Sequence, residues 1–185
     1  MKKYMSSTTK AENEGGVHLS KSKFELVRDN LMGLTFLQKV KWNSKYDKIN
    51  EFMQYGDTQP AYVVSLHPLI ISAYSDEIDG VVLLEFPPEL GSFYDLTEGA
   101  RLVTSNVYAF GTTMASDLIP GEGNLNRYVN FTPIVQIFLA EEEDFARERI
   151  SLFEEEKWER VVQLTEEKMR DHSQIPPRNG FFFFS

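Results

Sequence analysis

Apolar residues recur every third or fourth position at Phe24, Val27, Leu31 and Leu34, which predicts an amphipathic helix. The capping-box pattern Ser22-Lys23-Phe24-Glu25 opens it, and Gly33 weakens it near its end. A second box, Ser44-Lys45-Tyr46-Asp47, precedes a stripe of Tyr46, Ile49 and Met53, with Gly56 placed to end that helix.

Past Pro60 the period changes. Ala61 to Leu66, Leu69 to Tyr74 and Val81 to Phe86 are short runs of branched and aromatic residues between turn residues, and they predict strands. Asp79-Gly80 marks a hairpin because both residues tolerate positive φ, and Pro87-Pro88 ends the third run. Arg101 to Phe110 and Pro133 to Leu139 predict two more strands. Between them Gly111 to Val129 forms a long loop with three glycines, a proline and three Asn or Asp residues.

The last large element runs from Glu141 to His172. Its first turn is acidic and its last basic, as the helix dipole favours, and Glu143–Arg147, Glu156–Arg160 and Glu166–Arg170 are spaced to pair. Ile150, Phe153, Val161, Leu164 and Thr165 share one face, whereas Phe145 and Leu152 fall on the other. At ~1.5 Å per residue this helix would be roughly 45 Å long, more than the ~40 Å width of such a domain. It must therefore cross the domain, bend or project.

The expectation is an α+β fold: a small, mostly antiparallel sheet or half-open barrel of about five strands over residues 61–139. Two N-terminal helices and one long C-terminal helix flank it. Residues 1–20, polar and with little to bury, are expected to be a disordered arm. Residues 21–172 form one domain, and 173–185 a Pro- and Phe-rich tail.

Composition narrows the function classes. A hydrophobic fraction of 42% with 13% aromatic residues suffices for a core. The net charge of −9, from 28 acidic and 19 basic side chains, repels phosphate backbones, so no nucleic-acid partner is expected and a basic protein partner is favoured. Absence of cysteine excludes disulfides and thiolate chemistry. Lys2 and Lys3 are followed by a polar stretch, Ser6 to Gly16, so no export signal is predicted. No run approaches the ~20 apolar residues that span a bilayer. The expected location is cytoplasmic, with no membrane partner.

Candidate chemistry is sparse. Asp76, Glu77 and Asp79 gather three carboxylates in one turn, a set suited to a divalent cation or to acid–base work, although the spacing departs from a calcium loop. A solvated turn explains the same residues, and no metal or cofactor is expected. His67 lies between two predicted strands, and His18 and His172 share no ligand spacing with it. Asp117, Glu122, Asn124, Asn126 and Arg127 populate the long loop and make it the first place to seek a polar binding site. Gly121-Glu122-Gly123 lacks the third glycine and the lysine of a phosphate cradle, and no G-x-S-x-G occurs. Phe181, Phe182, Phe183 and Phe184 either fold back on the domain or serve as a docking or oligomerisation segment.

The favoured expectation is a non-catalytic interaction protein (an adaptor, accessory or immunity-type binder) that meets a protein partner through an acidic surface. The alternatives are a small carboxylate-using or metal-dependent hydrolase, which requires the 76–79 turn and the 117–127 loop to converge, and a small-ligand module built on the curved sheet.

Overall fold

The computed structural model describes residues 11–31 and 35–181. Residues 11–20 belong to the expected arm, yet they are packed: Glu14 bridges to Asp57, Leu19 bridges to Ala140, and Val17 and Leu19 are buried. Two apolar side chains fix a segment whose composition is otherwise polar. Residues 1–10 lie outside the described residues.

That anchoring moves the first helix boundary. Helix α1 spans Lys21–Leu26 and is capped by Ser20 rather than Ser22, because Ser20 has the extended backbone that lets its hydroxyl accept from the Lys23 N–H. It runs into a π-helical turn, Val27–Leu31, and the predicted positions Gly33 and Leu34 lie outside the described residues. An additional helix, α2 (Phe36–Asn43), precedes α3 (Tyr46–Tyr55). The N-cap of α3 is Lys45, one residue past Ser44; it is itself helical, its N–H bonds back to the Trp42 carbonyl, and its side chain makes no cap bond. Ile49 and Met53 are buried, and Gly56 ends the helix.

The strands are β1 (Asp57–Leu66), β2 (Leu69–Ser75), β3 (Gly80–Phe86), β4 (Arg101–Ala109), β5 (Asn130–Val135) and β6 (Arg178–Asn179), with a short helix α4 (Glu89–Phe93) after β3. They form one six-stranded mixed half-barrel in the order β5-β4-β1-β2-β3-β6, antiparallel throughout except that β6 runs parallel to β3. The α+β fold thus has one strand more than expected, supplied by the tail.

Strand β1 begins four residues before Ala61 and contains Pro60. Val63 N–H donates toward β4, to Ala100, so by alternation the donor that Pro60 lacks would point toward β2. The β1–β2 ladder ends at Ala61↔Ala73, so no bond is lost there. Strand β5 stops at Val135. Gln136, Ile137, Phe138 and Leu139 form a helical turn, α5, in which all four side chains are buried, whereas a strand would send alternate residues to opposite faces.

The predicted 141–172 helix is broken into α6 (Glu143–Glu148), a 3-10 turn at Arg149–Leu152 and α7 (Glu155–Asp171). A single straight helix would set Phe145 and Trp158 on different faces. The break lets α6 bury Ala146 while α7 buries Trp158, Val161 and Leu164. The Ser151 hydroxyl donates to the Glu148 carbonyl at 2.7 Å, and Arg149 donates to Thr58 at 2.6 Å, tying the break to β1. The expected four-apart pairs give way to other partners: Glu143 pairs with Lys23, Arg160 with Asp79 and Arg170 with Asp171.

Helix α7 crosses one face of β1, β2 and β3, where Thr165 and Ser72 are joined at 2.6 Å among Tyr74, Val81, Val161 and Leu164. The main core lies on the other face, where Val63, Ile71 and Ala73 meet Leu118 and Tyr128 from the long loop and Phe138 from α5. Among the described residues no helix is long and apolar enough to cross a membrane.

Candidate functional site

The two carboxylate-bearing loops do converge. Gly121 N–H donates to the Asp79 carbonyl at 2.9 Å, Gly123 N–H to Asp79 Oδ2 at 3.0 Å, and Leu125 N–H to the Glu77 carbonyl at 3.1 Å. Gly121-Glu122-Gly123 therefore cradles a side chain of its own protein, and a Cβ at Gly121 would collide with the Asp79 carbonyl and carboxylate.

Each carboxylate of the turn is answered by a cation. Asp76 meets Lys157 at 3.1 Å, Glu77 meets Arg127 at 3.7 Å, and Asp79 accepts from Arg160 Nε and Nη2 at 3.1 and 2.6 Å. Burial pushes the Asp79 carboxyl up, but Arg160, the Gly123 N–H and the Tyr74 hydroxyl outweigh it and hold it below the usual range. Among the described residues no group of three or more His, Asp or Glu side chains is placed to hold a metal.

The five candidate loop residues separate. Asp117 faces Arg178, Arg127 faces Glu77, and Asn124 accepts from the Asn126 N–H at 2.9 Å, within a local turn that holds Asn126 at φ 55°. Glu122 is exposed and has no ion-pair partner among the described residues. His67 shares an open depression with Ser92 and Asp95, but no hydrogen bond joins the three.

Where α7 begins, it borders an open groove of about 720 Å³. Tyr74, Leu152 and Phe153 supply its apolar surface, and Glu12, Glu154, Glu156 and Glu159 its carboxylates. Its two cations, Lys157 and Arg160, are the ones engaged by Asp76 and Asp79. The four glutamates are exposed and have no ion-pair partner among the described residues. The groove thus presents uncompensated negative charge beside aromatic and aliphatic surface. The acidic run at 154–156 is visible in the sequence. The groove is not, because it exists only through the break at 149–154 and the packing of residues 12 and 13.

Behind Asp76 lies a buried polar network. β1 and β2 splay beyond Ala61↔Ala73, and polar side chains fill the gap: Gln59 Nε2 and the Tyr108 hydroxyl donate to Asp57 Oδ2 at 2.8 and 3.0 Å, and Asn106 Nδ2 donates to the Tyr74 carbonyl at 2.7 Å. Asp57 is 3% exposed, and its Oδ1 and Gln59 Oε1 have no hydrogen-bond partner among the described residues. Burial drives the Asp57 carboxyl up to about 7, the charge of Asp76 adds to the rise, and the bonds from Gln59 and Tyr108 and the charge of Lys157 oppose it. A proton there supplies the donor this acceptor-rich cluster lacks. Asp57-Thr58-Gln59 was hidden in the sequence because Asp and Pro60 disfavour a strand reading.

The tail closes the half-barrel. The Asp117 carboxylate accepts from Arg178 Nε and Nη2, and Arg178 Nη1 donates to the Phe131 carbonyl at 2.8 Å, linking β6 to β5. Phe181 is buried against Phe86, their ring centroids 5.2 Å apart, so this member of the candidate docking tail belongs to the domain's own core. Phe182, Phe183 and Phe184 lie outside the described residues.

No protein-family model matches the chain, and neither a curated protein nor a solved structure resembles it significantly.

Proposed function

We propose that the protein is a non-catalytic binding protein that takes a basic segment of a protein partner into the groove along the start of α7. The observation that supports this reading is the imbalance of the groove. Lys157 and Arg160 are drawn down to the 76–79 turn, while Glu12, Glu154, Glu156 and Glu159 stand free at its rim. Tyr74, Leu152 and Phe153 beside them suit the aliphatic stem of a lysine or arginine, or an apolar neighbour of one. Complementary charge of this kind speeds encounter and selects partners more than it adds affinity.

The hydrolase alternative has its two loops together, but Asp76, Glu77, Asp79 and Asp117 are held by Lys157, Arg127, Arg160 and Arg178, and Glu122 alone stands exposed. Ion pairs within the fold account for the four.

Affinity capture from the native cells tests the proposal, comparing the wild type with the variant Glu154→Lys/Glu156→Lys/Glu159→Lys. A control, Glu89→Lys/Glu98→Lys/Glu141→Lys, makes the same charge change at exposed positions away from the groove. The expected result is a partner retained by wild type and control and lost by the groove variant. A partner retained equally by all three contradicts the proposal.

A further inference from the structure

A second cavity lies at the seam of the half-barrel, between β5 on one side and β3 and β6 on the other, with no residue in common with the groove. Its volume, about 510 Å³, falls within the ~300–1,000 Å³ usual for small-molecule sites. Leu84, Ala115 and Pro133 form its apolar side, and Ser116, Thr132, Asn130, Asn179 and the Asp117–Arg178 pair its polar side.

The polar side carries donors with no acceptor among the described residues. Asn130 Oδ1 accepts from the Phe131 N–H at 2.9 Å and from Arg178 Nη2 at 2.8 Å. Because both neighbours are obligate donors, the amide orientation is fixed and its Nδ2 is left over. Asn179, next to Arg178 in β6, is exposed and borders a neighbouring cavity with Phe86 and Phe181, where its Oδ1 accepts from the Phe181 N–H at 2.8 Å. Arg178 spends both Nη2 hydrogens on Asp117 and Asn130, its Nε on Asp117 and one Nη1 hydrogen on Phe131, which leaves one Nη1 N–H. The Ser116 and Thr132 hydroxyls carry no hydrogen bond within the described chain.

Within the lining the charges of Arg178 and Asp117 cancel, and Lys168, which borders a neighbouring cavity on α7, donates its ammonium to the Asp117 backbone carbonyl.

We propose that the seam cavity binds a small aliphatic monocarboxylate, its carboxylate received by the unpaired N–H groups of Asn130 and Arg178 and its chain lying against Leu84, Ala115 and Pro133. A carboxylate is acceptor-only, which matches a rim that keeps free N–H donors after Arg178 has paired with Asp117. This site is independent of the groove proposed for the partner.

Titration of the full chain with octanoate, octanol, octylamine and acetate, read by calorimetry and by the midpoint of thermal unfolding, tests it. Octanoate is expected to bind saturably and raise the midpoint, with the other three at least about tenfold weaker, since each lacks the charge, the acceptors or the chain. Asn130→Asp keeps the oxygens that receive Phe131 N–H and Arg178 but removes the free donors; it is expected to weaken octanoate about tenfold or more without lowering the midpoint of the free protein. Ala115→Leu, which fills the apolar side, is a second route to the same loss. The Glu154→Lys/Glu156→Lys/Glu159→Lys variant should bind octanoate as the wild type does. No saturable octanoate binding up to about 10 mM, equal binding of octanol or octylamine, or unchanged affinity in both cavity variants would overturn the proposal.

Discussion

Asp79 and Arg160 are joined by two hydrogen bonds, Nε to Oδ1 at 3.1 Å and Nη2 to Oδ2 at 2.6 Å, and this pair fastens the β2–β3 hairpin to α7. The same carboxylate accepts from Gly123 N–H and from the Tyr74 hydroxyl at 3.1 Å, so helix, hairpin and long loop meet on one side chain. The pair also shapes the groove electrostatically, since Arg160 spends its charge on the turn and not on the glutamates above it.

Asp79→Asn keeps the shape and removes the charge. It is expected to destabilise by about 2 kcal/mol, less than the loss for a fully buried pair because Arg160 is partly solvated. Because the folded carboxyl lies below its unfolded value, the contribution of the pair is present above the ordinary aspartate range and is lost as pH falls through the folded pKa. Chemical denaturation of wild type and variant across acid pH checks this: their stabilities should differ at neutral pH and converge at low pH.

Asp57 carries the opposite sign. Its folded pKa, about 7, exceeds the ordinary 3.8, so the folded state holds a proton that the unfolded chain releases between those values. Its contribution to stability is greatest at low pH and declines as pH rises through that window. Asp57→Asn supplies a permanent donor at the partnerless oxygen. The difference in unfolding midpoint, variant minus wild type, should grow from pH 4 to pH 7 and then level off.

Gly121→Ala places a methyl group against the Asp79 carbonyl and carboxylate, which are held on several sides. A loss of about 1–3 kcal/mol is expected, measurable by urea denaturation. Gly123→Ala should cost less, because its Cβ would approach the Asp79 carboxylate no closer than 3.1 Å.

Phe181→Ala empties a position packed on Phe86 and should cost about 3 kcal/mol. Light scattering should give the same mass for variant and wild type if the residue serves only its own core. A drop in mass at unchanged fold would restore Phe181 to the role of a docking residue.

The half-barrel was legible because Ile70, Ile71, Val81 and Val82 declare strands by side-chain type, and Asp79-Gly80 declares the turn between them. Other features depended on distant contacts. Ser20 caps α1 only because Leu19 is pinned beside Ala140, and Arg178 forms a strand only because Leu84 lies open at the edge of β3. The 141–172 helix breaks without a proline or glycine: its apolar residues face two directions, a conflict already visible in Phe145 and Leu152, but the site of the break is set by Arg149 reaching β1. The carboxylates of the turn suit a cation or acid–base work, and their partners, Lys157 and Arg160 some 80 positions on in α7 and Arg127 in the long loop, could not be paired with them from spacing. The unpaired glutamates of the groove stand out only once those pairs are known.

The measurement that bears most directly on the groove is amide hydrogen exchange of the protein alone and with its captured partner. Protection is predicted in residues 152–163 and in the 12–13 segment, lost in the Glu154→Lys/Glu156→Lys/Glu159→Lys variant. Protection confined to other surfaces, or equal protection in the variant, would contradict the account.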